Sequence, residues 1–130
     1  FKKYARQIVK NAKALAAELQ KLGFKIISNG TDNHLMLIDL TNFSISGKEA
    51  QDRLEEVGII LNRNTVPYDI RSPFDPSGIR LGTPAVTTRG MKEKEMKTIA
   101  RLLTDTVLEK EKKSVLQKSV RQLCAKFPIK

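Results

Sequence analysis

Cysteine is all but missing from this 130-residue chain. Cys124 stands alone, so no internal disulfide can form and a reducing compartment is the expected setting. Its expected place is a buried position within a helix. Tryptophan is absent and aromatic residues make up only 5%, which leaves little for the stacking platforms that single-stranded nucleic-acid binders use. Histidine occurs once, at His34. A Ser-His-Asp triad would have to use it, and its position between a polar turn and an apolar strand favours packing over catalysis. No Cys/His cluster has zinc spacing, and carboxylates are scattered or lie on solvent faces, as Glu55 and Glu56 do. Ser77-Gly78 is not a nucleophile elbow, and no phosphate-cradling glycine loop precedes a helix. No apolar run approaches the roughly 20 residues needed to span a bilayer, and no basic-then-apolar leader opens the chain. No catalytic residue, metal ligand or membrane partner is therefore expected in this stretch.

What is present is ordinary in bulk and uneven in detail. Apolar residues at 40% and charged residues at 29% fit a single soluble domain spanning residues 1–130. The net charge of +10 sits at the ends. Residues 1–24 hold six basic side chains against one acidic, residues 91–130 hold eleven against five, and the middle is near neutral. Two readings compete: a basic module for RNA or acidic partners, or solvated helix faces that steer an anionic ligand. The scarcity of aromatics favours the second, and nucleic acid is not an expected partner. The chain opens at Phe1 inside a helical pattern with no cap or approach segment, which reads as a fragment of a longer chain.

Hydrophobic spacing gives the element order. Ile8, Ala12, Leu15, Leu19 and Leu22 predict a helix over Tyr4–Leu22, stopped by Gly23. Phe24–Ile27 is a short strand candidate, followed by turn residues from Ser28 to Asn33. Leu35–Leu40 is a nearly continuous apolar run of strand length, and its lack of alternation predicts burial on both faces. Ser46 and Glu49 form a capping box that opens a helix running to Val57, with Gly58 as its stop. Ile59–Leu61 is a further short strand, and Gly78–Leu81 another. Helical spacing returns over Lys92–Glu109. After a charged break at Glu109–Lys113 comes a last helix that Pro128 ends, so that residues 110–130 form a terminal helical extension. Strands and helices in this order predict an α+β domain, with a short mixed or antiparallel sheet and helices packed on one face.

The segment Asn62–Arg89 stands apart. Pro67, Pro73, Pro76 and Pro84 punctuate it, Gly78 and Gly82 bracket a short strand, and it carries Arg63, Arg71, Arg80 and Arg89. Arg80 lies between Ile79 and Leu81, so strand alternation turns its side chain away from theirs. The bracketing glycines permit close approach of a backbone or a ligand. A planar guanidinium suits a carboxylate because it can donate two parallel hydrogen bonds. The competing reading is an internal salt bridge from Arg80 to Asp39 or Asp69.

The run Ser77-Gly78-Ile79-Arg80-Leu81-Gly82-Thr83-Pro84-Ala85, with Thr87-Thr88-Arg89-Gly90, resembles the C-terminal domain of serine hydroxymethyltransferase. So do Ser28 to Leu35, Ser46 to Ala50, Asn62-Arg63-Asn64, Ser72-Pro73-Phe74 and Leu123 to Pro128. The resemblance implies the small C-terminal domain of the aspartate-aminotransferase fold type, packed in the parent against a large pyridoxal-phosphate domain of the same chain. It implies transfer of the one-carbon unit of serine to tetrahydrofolate, giving glycine and methylene-tetrahydrofolate, in a cytoplasmic homodimer or homotetramer. On this resemblance Arg80 matches the arginine that grips the substrate carboxylate. Asn64, Ser72, Pro73 and Phe74 match folate-contacting positions, and Arg71 is placed to meet the folate's acidic tail. Asn29, Tyr68, Ile70 and Asp75-Pro76 depart from the family's usual residues and alter the loop's shape. The Thr-rich, His-Lys segment that carries the Schiff-base lysine is not in this chain. The resemblance therefore implies that the fragment alone is inactive.

Overall fold

A computed structural model describes residues 2–27 and 35–128; the turn expected from Ser28 to Asn33, Asn29 within it, and His34 lie outside the described residues. Three- and four-residue spacing gives α1 (Lys2–Lys21) one buried stripe, formed by Ala12, Leu15, Ala16 and Leu19. Gly23, at φ +101°, follows it in the left-handed geometry that glycine adopts without a Cβ penalty. Then come β1 (Lys25–Ile26) and β2 (Leu35–Asp39). Of the capping box expected at α2 (Gly47–Glu56), the Ser46 half forms, its side chain accepting a hydrogen bond from the Glu49 amide at 3.1 Å, while the Glu49 carboxylate lies 3.5 Å from Arg53. Beyond it lie β3 (Asn62–Asn64), β4 (Gly78–Gly82), a short α3 (Pro84–Thr88), α4 (Glu93–Val107) and α5 (Lys113–Lys126). The sequence pattern did not reveal α3, whose first residue is Pro84, at the position where a missing N–H costs least.

The four strands form one antiparallel sheet in the order β1-β2-β4-β3. Ile26, Ile38 and Ile79 stand in register across it and, with Met36, are buried against Ala12, Leu15 and Leu19 of α1, Leu54 of α2 and Met96 and Leu103 of α4. This is an α+β domain with the sheet's apolar face under its helices. Among the described residues, no helix is long and apolar enough to cross a membrane.

Three expectations need correction. Cys124, expected to be buried, is on α5 but only half-buried. The Leu35–Leu40 run is not buried on both faces: Met36 and Ile38 are buried, whereas Leu35 is 45% exposed and Leu37 only half-buried. The helices lie on one side of the sheet, and continuous hydrophobicity could not tell which side would be left uncovered. The strand expected at Ile59–Leu61 forms three residues later, at the polar Asn62–Asn64. As an edge strand it needs only backbone pairing to β4. Leu61 is drawn into the core while Ile60 stays 76% exposed.

Around the sheet's exit, polar side chains join α1 to α3 and α4. The Thr83 hydroxyl donates to the Ile8 carbonyl at 2.7 Å, and Asn11, fully buried, donates to the Thr87 hydroxyl (2.8 Å) and the Met91 carbonyl (3.0 Å). Buried polar groups are tolerated when satisfied in this way, so much of the Gly82–Gly90 motif acts as fastening. The last helix forms an outer layer. Leu116 and Val120 pack on Val57 and Leu102, Lys113 pairs with Glu56 at 2.7 Å, and the Arg89 guanidinium donates to the Cys124 carbonyl at 3.1 Å.

A close backbone approach sets the start of α2 against the start of β4. The Gly47 amide donates to the Pro76 carbonyl at 2.6 Å, and a Cβ on Gly47 would lie 2.2 Å from the Gly78 carbonyl oxygen. Gly47→Ala is therefore expected to destabilise the chain by about 1–3 kcal/mol, read as a lower midpoint in chemical denaturation; an unchanged midpoint contradicts the close approach. Tyr68 sits at φ +58° with its side chain fully exposed, in a conformation that Asn tolerates better than an aromatic residue. Tyr68→Asn is expected to stabilise by up to about 1 kcal/mol, and a loss of stability contradicts this.

Candidate functional site

β4 is an inner strand, paired on one side with β2 and on the other with β3. Its Gly78 is required by the pairing itself, since a Cβ there would lie 2.7 Å from Val66 Cγ1, 2.8 Å from the Asn64 carbonyl oxygen and 2.9 Å from the Ile38 carbonyl oxygen. One step on, Ile79 is fully buried among the helices, so Arg80 projects from the opposite face and is exposed. Its register partners are Leu37 on β2 and Asn62 on β3. Directly opposed residues share a face, so the guanidinium rises beside an aliphatic side chain and a carboxamide.

Arg80 lines a cleft of ≈ 310 Å³ where β3 begins and β4 ends, with Ile60, Asn62, Gly82 and, deeper, Leu15, Ile99 and Leu103. The lining is mostly aliphatic, and Leu15, Ile99 and Leu103 belong to the helix-covered face, whereas the Arg80 side chain leaves the strand on the other. Among the described residues, no carboxylate pairs with Arg80. Both expected partners are engaged elsewhere. Asp39 accepts from the Thr41 amide at 2.9 Å and hydroxyl at 2.7 Å and lies 3.8 Å from Lys25 Nζ.

Asp69 has a different task. One of its oxygens accepts from the Ser77 hydroxyl (2.7 Å) and the Arg71 amide (2.9 Å), and the other from the amides of Ser77 (2.9 Å) and Val66 (3.2 Å). Four donors converge on one carboxylate and draw the two ends of the Val66–Ser77 loop together. Burial alone would raise this carboxyl; the hydrogen bonds from Ser77, Arg71 and Val66 outweigh it and hold it well below the ordinary carboxylate range.

The loop so tied carries most of the other candidate residues. Ser72 accepts from the Phe74 amide at 3.2 Å, Phe74 is 83% exposed and Pro73 is exposed beside it. Arg71 lies 3.8 Å from Asp75. Asn64 stands on β3 opposite Gly78, two residues from Arg80 on the same face, with its amide donating to the Thr65 carbonyl at 2.9 Å. Diagonal neighbours on a sheet are about 7–8 Å apart, so one ligand can span Asn64 and Arg80. The cleft at Arg80 is not lined by Arg71, Ser72, Pro73 or Phe74; these form an exposed rim of their own. Sequence reasoning missed Asn62 beside Arg80. It also weighed Asp69 only as an ion-pair partner, although an Asp whose side chain bonds the amide two residues on is a known turn device.

Because the Asp69 carboxyl titrates lower in the folded chain than in the unfolded one, its contribution to stability is present above the unfolded value of about 3.9 and is lost as pH falls below it. Asp69→Asn is expected to lower stability at neutral pH and to flatten the acid limb below about pH 4, measured as denaturation midpoint against pH. An acid limb identical to the parent chain's contradicts this.

The serine hydroxymethyltransferase family model matches residues 1–103, which include the whole sheet, Arg80 and the Asp69 loop and end within α4. The match covers well over half of the 130 residues. The segments it takes in are those that the close glycine contacts, the Thr83–Thr87 fastening and the Asp69 knot hold in place, and the chain belongs to the serine hydroxymethyltransferase family.

Proposed function

We propose that this chain is the C-terminal domain of a serine hydroxymethyltransferase, whose parent moves the one-carbon unit of serine to tetrahydrofolate, leaving glycine. Within it Arg80 is the grip for the substrate's carboxylate. The observation that carries this reading is the exposed Arg80 side chain on the strand face opposite the helices, beside Leu37 and Asn62, with no carboxylate partner among the described residues. A planar fork so placed can donate two parallel hydrogen bonds to an incoming amino acid. Asn64, on the same face, is proposed to meet the folate ring. Ser72, Pro73 and Phe74 are proposed to line the folate's path, and Arg71 to face its acidic tail.

Members of this family are pyridoxal-phosphate-dependent transferases. The described residues lining the Arg80 cleft include no lysine, histidine or carboxylate, so they do not fit that cofactor by themselves. In the proposal it belongs to a large domain of the same parent chain, in a cytoplasmic homodimer or homotetramer. The uncovered strand face at Leu35 and Leu37, and the exposed Tyr68, Ile70 and Phe74, form the surface on which that domain would rest. This stretch alone is then catalytically silent, and its task is to orient the substrate so that the bond to be broken is held in place.

In the intact enzyme, Arg80→Lys is expected to lower kcat/KM for serine about 10- to 100-fold, the cost of one or two hydrogen bonds to a charged group. Cofactor uptake, followed by the absorbance of bound pyridoxal phosphate, stays unchanged. Near-normal turnover of serine contradicts the proposal.

A further inference from the structure

The chain's positive charge is not spread evenly once ion pairs are drawn. The described pairs use Lys21, Lys25, Lys48, Arg53, Arg71 and Lys113. None uses a cation from the first half of α1 or from the start of α4. There Lys3, Arg6 and Lys10, at the spacing that puts side chains on one helix face, converge with Lys92 around a cleft of ≈ 440 Å³ floored by Tyr4 and Met91. Among the described residues, no carboxylate lines it. The cleft lies against the ends of α1, α3 and α4 and shares no residue with the Arg80 cleft.

One neighbour reports on the local field. Glu93 stands beside Lys92 and accepts from the Gln7 amide. That bond first, then its own N–H, hold its carboxyl below the ordinary value against the opposing effect of burial, and the charges of Lys10 and Lys92 act in the same direction. Counting Glu93 and Glu95, whose carboxylate accepts from the Lys92 amide at 2.8 Å, the cluster still carries two net positive charges. Like charges gathered in a concave site focus the field and draw in an anion.

We propose that this cleft binds a small ligand presenting two or more adjacent phosphate groups. The guanidinium of Arg6 matches two oxygens of one phosphate, and the three ammonium groups are point charges that answer the remainder. The volume is that of a small-molecule site. A nucleic-acid strand would call for aromatic stacking positions along a track, and among the described residues Tyr4 is the one aromatic side chain lining the cleft, its hydroxyl already 2.6 Å from that of Thr88.

The test is a titration of the ¹⁵N-labelled chain with inorganic tripolyphosphate at constant ionic strength, with orthophosphate, a triglutamate peptide and a short RNA in parallel. The expected result is saturable shifts confined to amides 3–10 and 90–93, with tripolyphosphate tighter than orthophosphate or triglutamate. The double variant R6Q/K10Q is expected to weaken it by about tenfold, and K118Q/R121Q, which removes the same charge from α5, is expected to leave it unchanged. Equal weakening by both variants, or shifts spread over every basic helix, overturns the proposal in favour of bulk charge. Tighter binding of triglutamate overturns the phosphate assignment, and tighter RNA binding that both variants abolish overturns the site. Should R6Q/K10Q lose its helical circular dichroism, K92Q, which lies outside α1, carries the same comparison. None of these outcomes bears on Arg80, so the two readings stand or fall separately.

Discussion

The backbone of β4 can be approached as closely as it is only because Gly47 and Gly78 carry no side chains. A Cβ at Gly47 would lie 2.2 Å from the Gly78 carbonyl oxygen, and one at Gly78 would strike β2, β3 and Val66 together. Those two absences let α2 rest its first turn on the strand's start while β2 and β3 flank it. Once β4 is held there, alternation decides the rest. Ile79 must enter the core and Arg80 must leave it, and the fully buried Ile79 anchors the guanidinium's position from below.

Charge is managed in two ways. At the Val66–Ser77 loop a single carboxylate, Asp69, gathers four donors and is thereby unable to neutralise Arg80. Asp39 is likewise held by Thr41 and Lys25. Both acids expected to pair with Arg80 are thus engaged elsewhere, and the arginine has no carboxylate partner among the described residues. At the far end of α1 the opposite holds: lysines and an arginine gather with little to answer them, and the charge stays concentrated.

The sequence made most of the scaffold legible because the scaffold is periodic. The stripe of α1, the Ser46 cap, and the strands at Lys25–Ile26, Leu35–Asp39 and Gly78–Gly82 follow from local rules and appear within a residue or two of where they were expected. What was not legible depends on long-range pairing. Nothing local says that Asn62–Asn64, and not Ile59–Leu61, pairs with β4, since an edge strand is defined by its partner's hydrogen bonds. Nor does a continuous apolar run say which face the helices will cover, so the exposure of Leu35 was hidden. Arg80 stood out through its two glycines, whereas Asn62 beside it carried no signal, because its importance comes only from cross-strand register. The buried role of Asn11 was hidden for the same reason: its partners Thr87 and Met91 lie far along the chain.

The central claim is that Arg80 receives the carboxylate of an amino-acid substrate. The most direct test is the structure of the intact enzyme with serine bound. The account predicts two N–H···O contacts of about 2.7–2.9 Å from the Arg80 guanidinium to one carboxylate, with Asp39 and Asp69 keeping their present partners. A serine carboxylate held elsewhere, with Arg80 in solvent or paired to a protein carboxylate, would contradict it.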